Sequence, residues 1–353
     1  MARHAAFHPL KVEGIAPITA DSVSLTFEVP EQLRADYTWS AGQHLTIRGE
    51  DDVRRSYSIC TPPSSGVLRV GVKRLPGGAF SGAVLDALRV GDTLEVMTPA
   101  GRFTPSLDPS STTAYAAVAA GSGITPMLSI IATILEEQPQ SQVTLVYANR
   151  SHNSVMFLDE IHDLKDRFMS RFRIIHVLSR EQQDVDLLSG RLDGERIRAI
   201  CASLLPVKEV DEWFLCGPQP MVADLREVLV SEGATGIHTE LFHADAPARP
   251  VVVDDSRAAE GAAEVTIRLD GRSATFPLAR GGVPVLEAAR SVRSDAPFAC
   301  RGGVCGTCRA RVLEGEVAMD TNWALEPEEV AQGYVLTCQS HPLSDTLLLD
   351  YDA

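Results

Sequence analysis

Cys300, Cys305 and Cys308 follow the pattern C-x4-C-x2-C, and a fourth cysteine, Cys338, comes after a further twenty-nine residues. No other feature constrains the chain so tightly. Three thiolates on one tight loop, closed by a fourth from a separate element, is the spacing that holds a [2Fe–2S] cluster. Gly302, Gly303 and Gly306 lie among the three cysteines. Glycine lets a backbone bend closely round an inorganic core with its amides turned towards sulfur. A structural zinc site would more often show two C-x2-C pairs or Cys/His pairs. A disulfide framework would need an oxidising compartment, and the opening Met1-Ala-Arg-His-Ala-Ala-Phe-His8 has neither an apolar leader core nor a cleavage site. A reducing cytoplasm is therefore expected, with Cys60, Cys201 and Cys216 as scattered thiols. A cluster of this kind moves single electrons.

A chain of 353 residues suggests two or three domains, and its 44% apolar content lets each bury a core. No apolar run approaches the length of a membrane span. The net charge of −15 argues against nucleic acid as a partner. From Glu264 onward, eight Arg and no Lys face thirteen Asp and Glu, a balance of 8 − 13 = −5. An acidic cluster domain would be steered towards a basic partner patch, though such acidity serves solubility equally well.

Four segments follow from composition. Residues 1–108 read as all-β: Leu68-Arg-Val-Gly-Val72 and Thr93-Leu-Glu-Val96 alternate apolar and polar side chains, with a turn at Gly91-Asp92. A small antiparallel barrel is expected there, with one helix over Ser81–Leu88. Residues 109–243 alternate strand and helix. The strands are expected at Ala114–Ala120, Val143–Tyr147, Phe172–Leu178, Glu212–Cys216 and Ile237–Phe242. The helices are expected after Gly123, over Val155–Phe168, near Glu195–Leu204 and over Pro220–Leu229. That alternation argues for a doubly wound α/β domain with a parallel sheet. Residues 244–263, rich in Ala with Pro247 and Pro250, read as a linker. Residues 264–353 open with a hairpin about Asp270-Gly271, followed by a helix over Val285–Val292 and the cysteine loop, which is compatible with a β-grasp domain.

Gly121-Ser-Gly-Ile-Thr-Pro126 follows a buried apolar strand and opens a helix. Glycines admit a phosphate close to the backbone, and the helix start offers unpaired amides and a positive dipole end. Pro126 suits a first turn, and Thr125 could cap it. Two glycines alone would equally make a plain turn; the strand–loop–helix setting favours a pyrophosphate site. The nine histidines form no pair at metal-ligand spacing, and no nucleophile elbow or paired carboxylates appear.

Arg55-Ser-Tyr-Ser58, Gly101-Arg-Phe103, Gly121–Pro126 and Cys216-Gly-Pro-Gln-Pro-Met221 occur in that order. Together they resemble the ferredoxin-NADP reductase superfamily. With the C-terminal plant-type ferredoxin motif added, the domain order is similar to reductase components of multicomponent oxygenases. Met319-Asp-Thr-Asn-Trp-Ala-Leu325 and Val335-Leu-Thr-Cys-Gln-Ser340 look especially like reductase subunits of ring-1,2-phenylacetyl-CoA epoxidases.

The resemblance implies the cofactors FAD, [2Fe–2S] and NADPH, with NADH the alternative. It implies Arg55 at the FAD diphosphate, Tyr57 against the flavin ring and Ser58 near the reactive ring nitrogen. Val72, Lys73 and Arg74 would flank FAD, although Lys73 and Arg74 could as well be solvated charges. Gly121, Ser122, Gly123 and Thr125 would meet the dinucleotide. Cys216, Gly217 and Pro218 would lie near the nicotinamide, with Cys216 in a packing and orienting role or a plain core residue. Arg150 and Arg180 would pair with a 2′-phosphate, or be ordinary strand-end arginines. Glu240 and Phe242 would lie beside the flavin. Cys300, Cys305, Cys308 and Cys338 would ligate the cluster, whose potential is typically about −400 mV for this type. The implied activity is NAD(P)H-dependent electron transfer to an oxygenase component, a diiron oxygenase such as the phenylacetyl-CoA epoxidase. The alternatives are a reductase of a ring-hydroxylating or steroid hydroxylase system, or a non-enzymatic electron carrier or redox sensor. Neither nucleic acid nor a membrane is an expected partner.

Overall fold

A computed structural model describes residues 6–49, 53–75, 79–242 and 261–353. Two compact units emerge, one of residues 7–242 and a second that takes in residues 261–353.

The first unit begins with six antiparallel strands: β1 (Phe7–Thr19), β2 (Ser22–Glu28), β3 (His44–Arg48), β4 (Arg54–Ser58), β5 (Leu68–Lys73) and β6 (Thr93–Met97). Their order is β4-β3-β6-β1-β2-β5. An Ile59–Val70 bridge joins the two ends of this order, so the sheet closes as a barrel. Alternation explains the packing: Leu10, Val12, Leu25, Leu45, Val70 and Val72 point inward and are fully buried. Helix α1 (Ala79–Asp86) follows β5, close to the expected span.

Five parallel strands follow: β7 (Ala114–Ala120), β8 (Gln142–Asn149), β9 (Phe172–Leu178), β10 (Glu212–Gly217) and β11 (Ile237–Leu241). Helices α2 (Ile124–Glu137), α3 (Leu158–Arg167), α4 (Gly194–Ser203) and α5 (Gln219–Ser231) connect them. The order β11-β10-β7-β8-β9 reverses between β7 and β10. Such a switch point opens a crevice at the carboxyl ends of the strands. Both segments singled out from the sequence, Gly121–Gly123 after β7 and Gly217-Pro218 at the end of β10, lie there.

One helix starts later than expected. Val155, Met156 and Phe157 are buried but not helical, and α3 begins only at Leu158. A short 3-10 turn, His152–Ser154, takes the capping box that Ser151 and Ser154 form, and Phe157 then adopts a left-handed φ of 57°. The apolar run that resembles helical periodicity is instead a plug in the core.

The second unit holds β12 (Ala262–Leu269), β13 (Arg272–Ala279), α6 (Val285–Val292), β14 (Arg309–Glu314), β15 (Val317–Met319), α7 (Pro327–Ala331), β16 (Tyr334–Leu336), β17 (Ser340–Pro342) and β18 (Thr346–Asp350). The main sheet runs β13-β12-β18-β14-β16, with β15 and β17 as a separate ribbon. Asp270 and Gly271, with φ of 57° and 66°, make the tight turn of the β12–β13 hairpin. The expected linker lies outside the described residues up to residue 260, and its last two positions, Ala262 and Ala263, belong to β12.

Candidate functional site

The flavin motif occupies β4. Its register places Tyr57 opposite Leu45 and Ser58 opposite His44. Arg55 is exposed and donates to the Arg54 carbonyl at 2.8 Å. Tyr57 is half-buried with Phe80 beside it, ring centroids 5.8 Å apart, and burial raises its phenol well above the ordinary value. Ser58 is buried, and its hydroxyl donates to Glu240 Oε2 at 3.0 Å across the seam between barrel and parallel sheet. Burial pushes Glu240 up to about 8, and the Ser58 hydrogen bond only partly offsets it.

Parallel pairing sets Cys216 level with Ala119 on one side and with Glu240 on the other. Cys216 is fully buried, and its thiol is raised by burial and then by the Glu240 charge, so it stays neutral.

The two loop glycines serve different ends. Gly121 takes a φ of 54° with open space around its missing Cβ. Gly123 has ordinary dihedrals, but a Cβ there would stand 2.2 Å from the Cys216 carbonyl oxygen. Gly123 is thus a close-approach glycine that lets the start of α2 sit on the end of β10. Tyr147, buried on β8, donates to the Gly121 carbonyl at 2.8 Å and fixes the loop. Thr125 does not cap the helix: it is the second helical residue, buried, and its hydroxyl donates back to the Ser122 carbonyl at 3.0 Å. Gly123 takes the cap position instead.

Arg150 and Arg180, both exposed, stand side by side. The Arg180 amide donates to the Arg150 carbonyl at 2.7 Å, one step beyond the β8–β9 ladder. Lys73 and Arg74 meet acids instead: Asp21 lies 3.6 Å from Lys73, and Asp86 holds Arg74 through two hydrogen bonds. Val72 between them and the barrel core is buried.

Sequence reasoning missed the seam between barrel and parallel sheet. Gly71 on β5 admits Thr125 and Phe157: a Cβ there would lie 2.8 Å from Thr125 Cγ2 and 3.1 Å from the Phe157 ring. Arg69 pairs through two hydrogen bonds with Glu160 on α3 and lies 5.6 Å from the Phe157 ring centroid. Phe103, from Gly101-Arg-Phe103, packs edge-on against Phe214 at 5.3 Å. No spacing rule pairs residues so distant; only the fold does.

In the second unit the four cysteines associate two by two. Cys305 hydrogen-bonds to Cys300 and lowers that thiol, while Cys308 hydrogen-bonds to Cys338 and lowers it. Among the described residues, no group of three or more His, Cys, Asp or Glu converges as the ligand set of one metal ion. Two pairs of thiols fit a two-iron group, each iron taking two. The Gly302 amide donates to Cys300 Sγ at 3.4 Å, so the loop turns a donor towards a ligand sulfur. The crevice between β7 and β10 and the β4 face beside it suit a dinucleotide and a flavin in the same sense: glycine cradle, helix start and aromatic ring are in place.

Comparison with known proteins agrees with this division. Residues 9–104 match the model of an oxidoreductase FAD-binding domain, 117–227 that of an oxidoreductase NAD-binding domain and 267–343 that of a 2Fe-2S iron-sulfur cluster binding domain. The chain is 43% identical to one of the subunits of 1,2-phenylacetyl-CoA epoxidase from Escherichia coli (strain K12), over 98% of both chains. It is 35% identical to the ferredoxin reductase component of 3-ketosteroid-9-alpha-monooxygenase from Rhodococcus rhodochrous, over 97% of this chain and 96% of that one. Among solved structures, phthalate dioxygenase reductase, described as modular for electron transfer from pyridine nucleotides to [2Fe-2S], superposes with a TM-score of 0.60 at 25% identity, over 98% of both chains. The chain is an NAD(P)H-dependent oxidoreductase and belongs to the ferredoxin-NADP reductase superfamily, among the members that join FAD-binding, NAD-binding and 2Fe-2S domains in one polypeptide.

Proposed function

We propose that this chain is the NADPH-dependent reductase of a phenylacetyl-CoA epoxidase complex, passing electrons to its diiron oxygenase component. The observation that carries the reading is the Ser58–Glu240 hydrogen bond, because it brings the flavin motif and the ends of β10 and β11 into one cleft. FAD and [2Fe–2S], when bound, supply the conversion of a two-electron donor into single electrons.

The chain's residues bind and orient. Arg55 projects from β4, where its guanidinium can pair bidentately with a diphosphate. Tyr57 offers a ring face to a planar heterocycle. Ser58 presents a hydroxyl at the seam, and Glu240 behind it keeps its proton near neutral pH, so the pair adds no charge where donor and acceptor rings would meet. Cys216 fills the space between the strands as a neutral thiol. Gly121 and Ser122 offer the open backbone of the pyrophosphate loop, while Gly123 and Thr125 seat that loop against Cys216-Gly217 and Gly71. Arg150 and Arg180 supply two adjacent cations for a 2′-phosphate, which supports NADPH over NADH. Lys73 and Arg74 are engaged by Asp21 and Asp86, so this edge would act through the backbone of Val72–Arg74.

For the partner, the support is the 43% identity across the whole length to the epoxidase subunit. The 35% identity to a steroid monooxygenase reductase supports a second reading. Among the described residues no helix is long and apolar enough to cross a membrane, in keeping with a cytoplasmic site of action. The test is coupled turnover: NADPH oxidation should follow substrate when purified epoxidase is added. Coupling to a steroid monooxygenase instead would favour the second reading.

A further inference from the structure

The stretches 319–325 and 335–340, set apart in the sequence but given no role so far, meet at one side chain. Gln339 follows the ligand Cys338 and is buried. Its Nε2 donates to the carbonyls of Arg301 and Cys338, both at 2.9 Å, and lies 3.7 Å from Cys338 Sγ. Its Oε1 accepts from Thr321 Oγ1 at 2.9 Å, which fixes the orientation of the amide. The backbone pins it again, since the Asp320 amide donates to the Gln339 carbonyl at 2.8 Å. Gly303, at a φ of 74°, makes room: a Cβ there would stand 3.1 Å from Thr321 Oγ1 and 3.2 Å from Gln339 Cγ. The amide therefore spans the cysteine loop, the fourth ligand and the 319–325 segment.

We propose that Gln339, held by Thr321, is a positioning residue that sets the reduction potential of the cluster through an Nε2–H shared between the Cys338 carbonyl and the Cys338 sulfur. This rests on the reading that the four cysteines hold [2Fe–2S]. A donor to a ligand sulfur draws electron density from it and favours the more negative, reduced state, so it raises the potential. Neutral Gln does this without adding charge to a domain that already carries a net negative balance.

The test is an anaerobic, EPR-monitored redox titration of the full-length holoprotein, with iron and sulfide assayed on the same samples. Gln339→Leu should make the cluster harder to reduce by about tenfold in equilibrium constant, about 59 mV for one electron. Thr321→Val, which leaves the amide present but unanchored, should shift it in the same direction by less. FAD reduction by NADPH should be unchanged in both. A Gln339→Leu protein with full iron and sulfide and the wild-type potential overturns the proposal. Should Gln339→Leu fail to load the cluster, an unshifted potential in Thr321→Val overturns it. Wild-type protein lacking iron and labile sulfide would instead remove the cluster reading itself, a separable result.

Discussion

Ser58 and Glu240 stand 182 residues apart in the chain and 3.0 Å apart in space. The hydroxyl comes from the last residue of a barrel strand and the carboxylate from the last strand of the parallel sheet. Replacing Ser58 with Ala removes the donor and leaves the barrel intact. Hydride transfer from NADPH should slow by about tenfold to a hundredfold, as small displacements of reacting groups do, and about 1–3 kcal/mol of stability should be lost because the Glu240 carboxyl is left unpaired. Stopped-flow reduction of the bound flavin measures this.

The same pair gives a pH signature. A carboxyl raised from 4.5 to about 8 binds its proton more tightly in the folded state. Its stabilising contribution is whole below the unfolded value and is lost as pH climbs towards the folded one. Thermal scans from about pH 6 to about pH 9 should show wild type losing ground to Glu240→Gln, which cannot ionise. A constant difference between the two proteins across that range would contradict the burial of this acid.

The loop glycines separate steric from conformational demand. Gly121→Ala meets only the left-handed backbone, a cost of about 1–2 kcal/mol. Gly123→Ala drives a methyl into the Cys216 carbonyl, and its cost should exceed about 3 kcal/mol. It should also weaken NADPH binding, since the end of β10 must shift. Denaturant unfolding and the KM for NADPH read both.

Much of this was legible in the sequence. β7 starts and stops where the unbroken apolar run does, β9 keeps its expected bounds, and Asp270-Gly271 closes its hairpin as the turn chemistry requires. The cysteine spacing singled out the four thiols, though not how they associate in pairs. What pattern could not reveal was tertiary. Val155–Phe157 carries helical periodicity but is used as a plug. Thr125 has a capping side chain, but it sits inside the helix with its hydroxyl turned back to Ser122. Arg69–Glu160 and Gln339–Thr321 are ordinary polar residues until the fold sets them together.

Nucleotide preference should follow the adjacent arginines. Each of Arg150→Ala and Arg180→Ala should lower kcat/KM for NADPH by about tenfold or more, the worth of a charge-assisted phosphate contact, and leave NADH nearly unaffected. Equal losses with both nucleotides would remove the 2′-phosphate role.

The Arg69–Glu160 pair ties barrel to parallel sheet, but Glu160 is partly exposed, which limits its worth. Glu160→Gln should cost only about 1 kcal/mol in unfolding experiments, less at high salt.

The relay of separable modules is tested most directly by anaerobic addition of NADPH to purified Cys308→Ser, followed by visible and EPR spectra beside wild type. Flavin should bleach at the wild-type rate while the cluster signal and electron delivery to the oxygenase vanish. Parallel loss of flavin reduction and cluster reduction would contradict a nucleotide–flavin module that works independently of its iron–sulfur outlet.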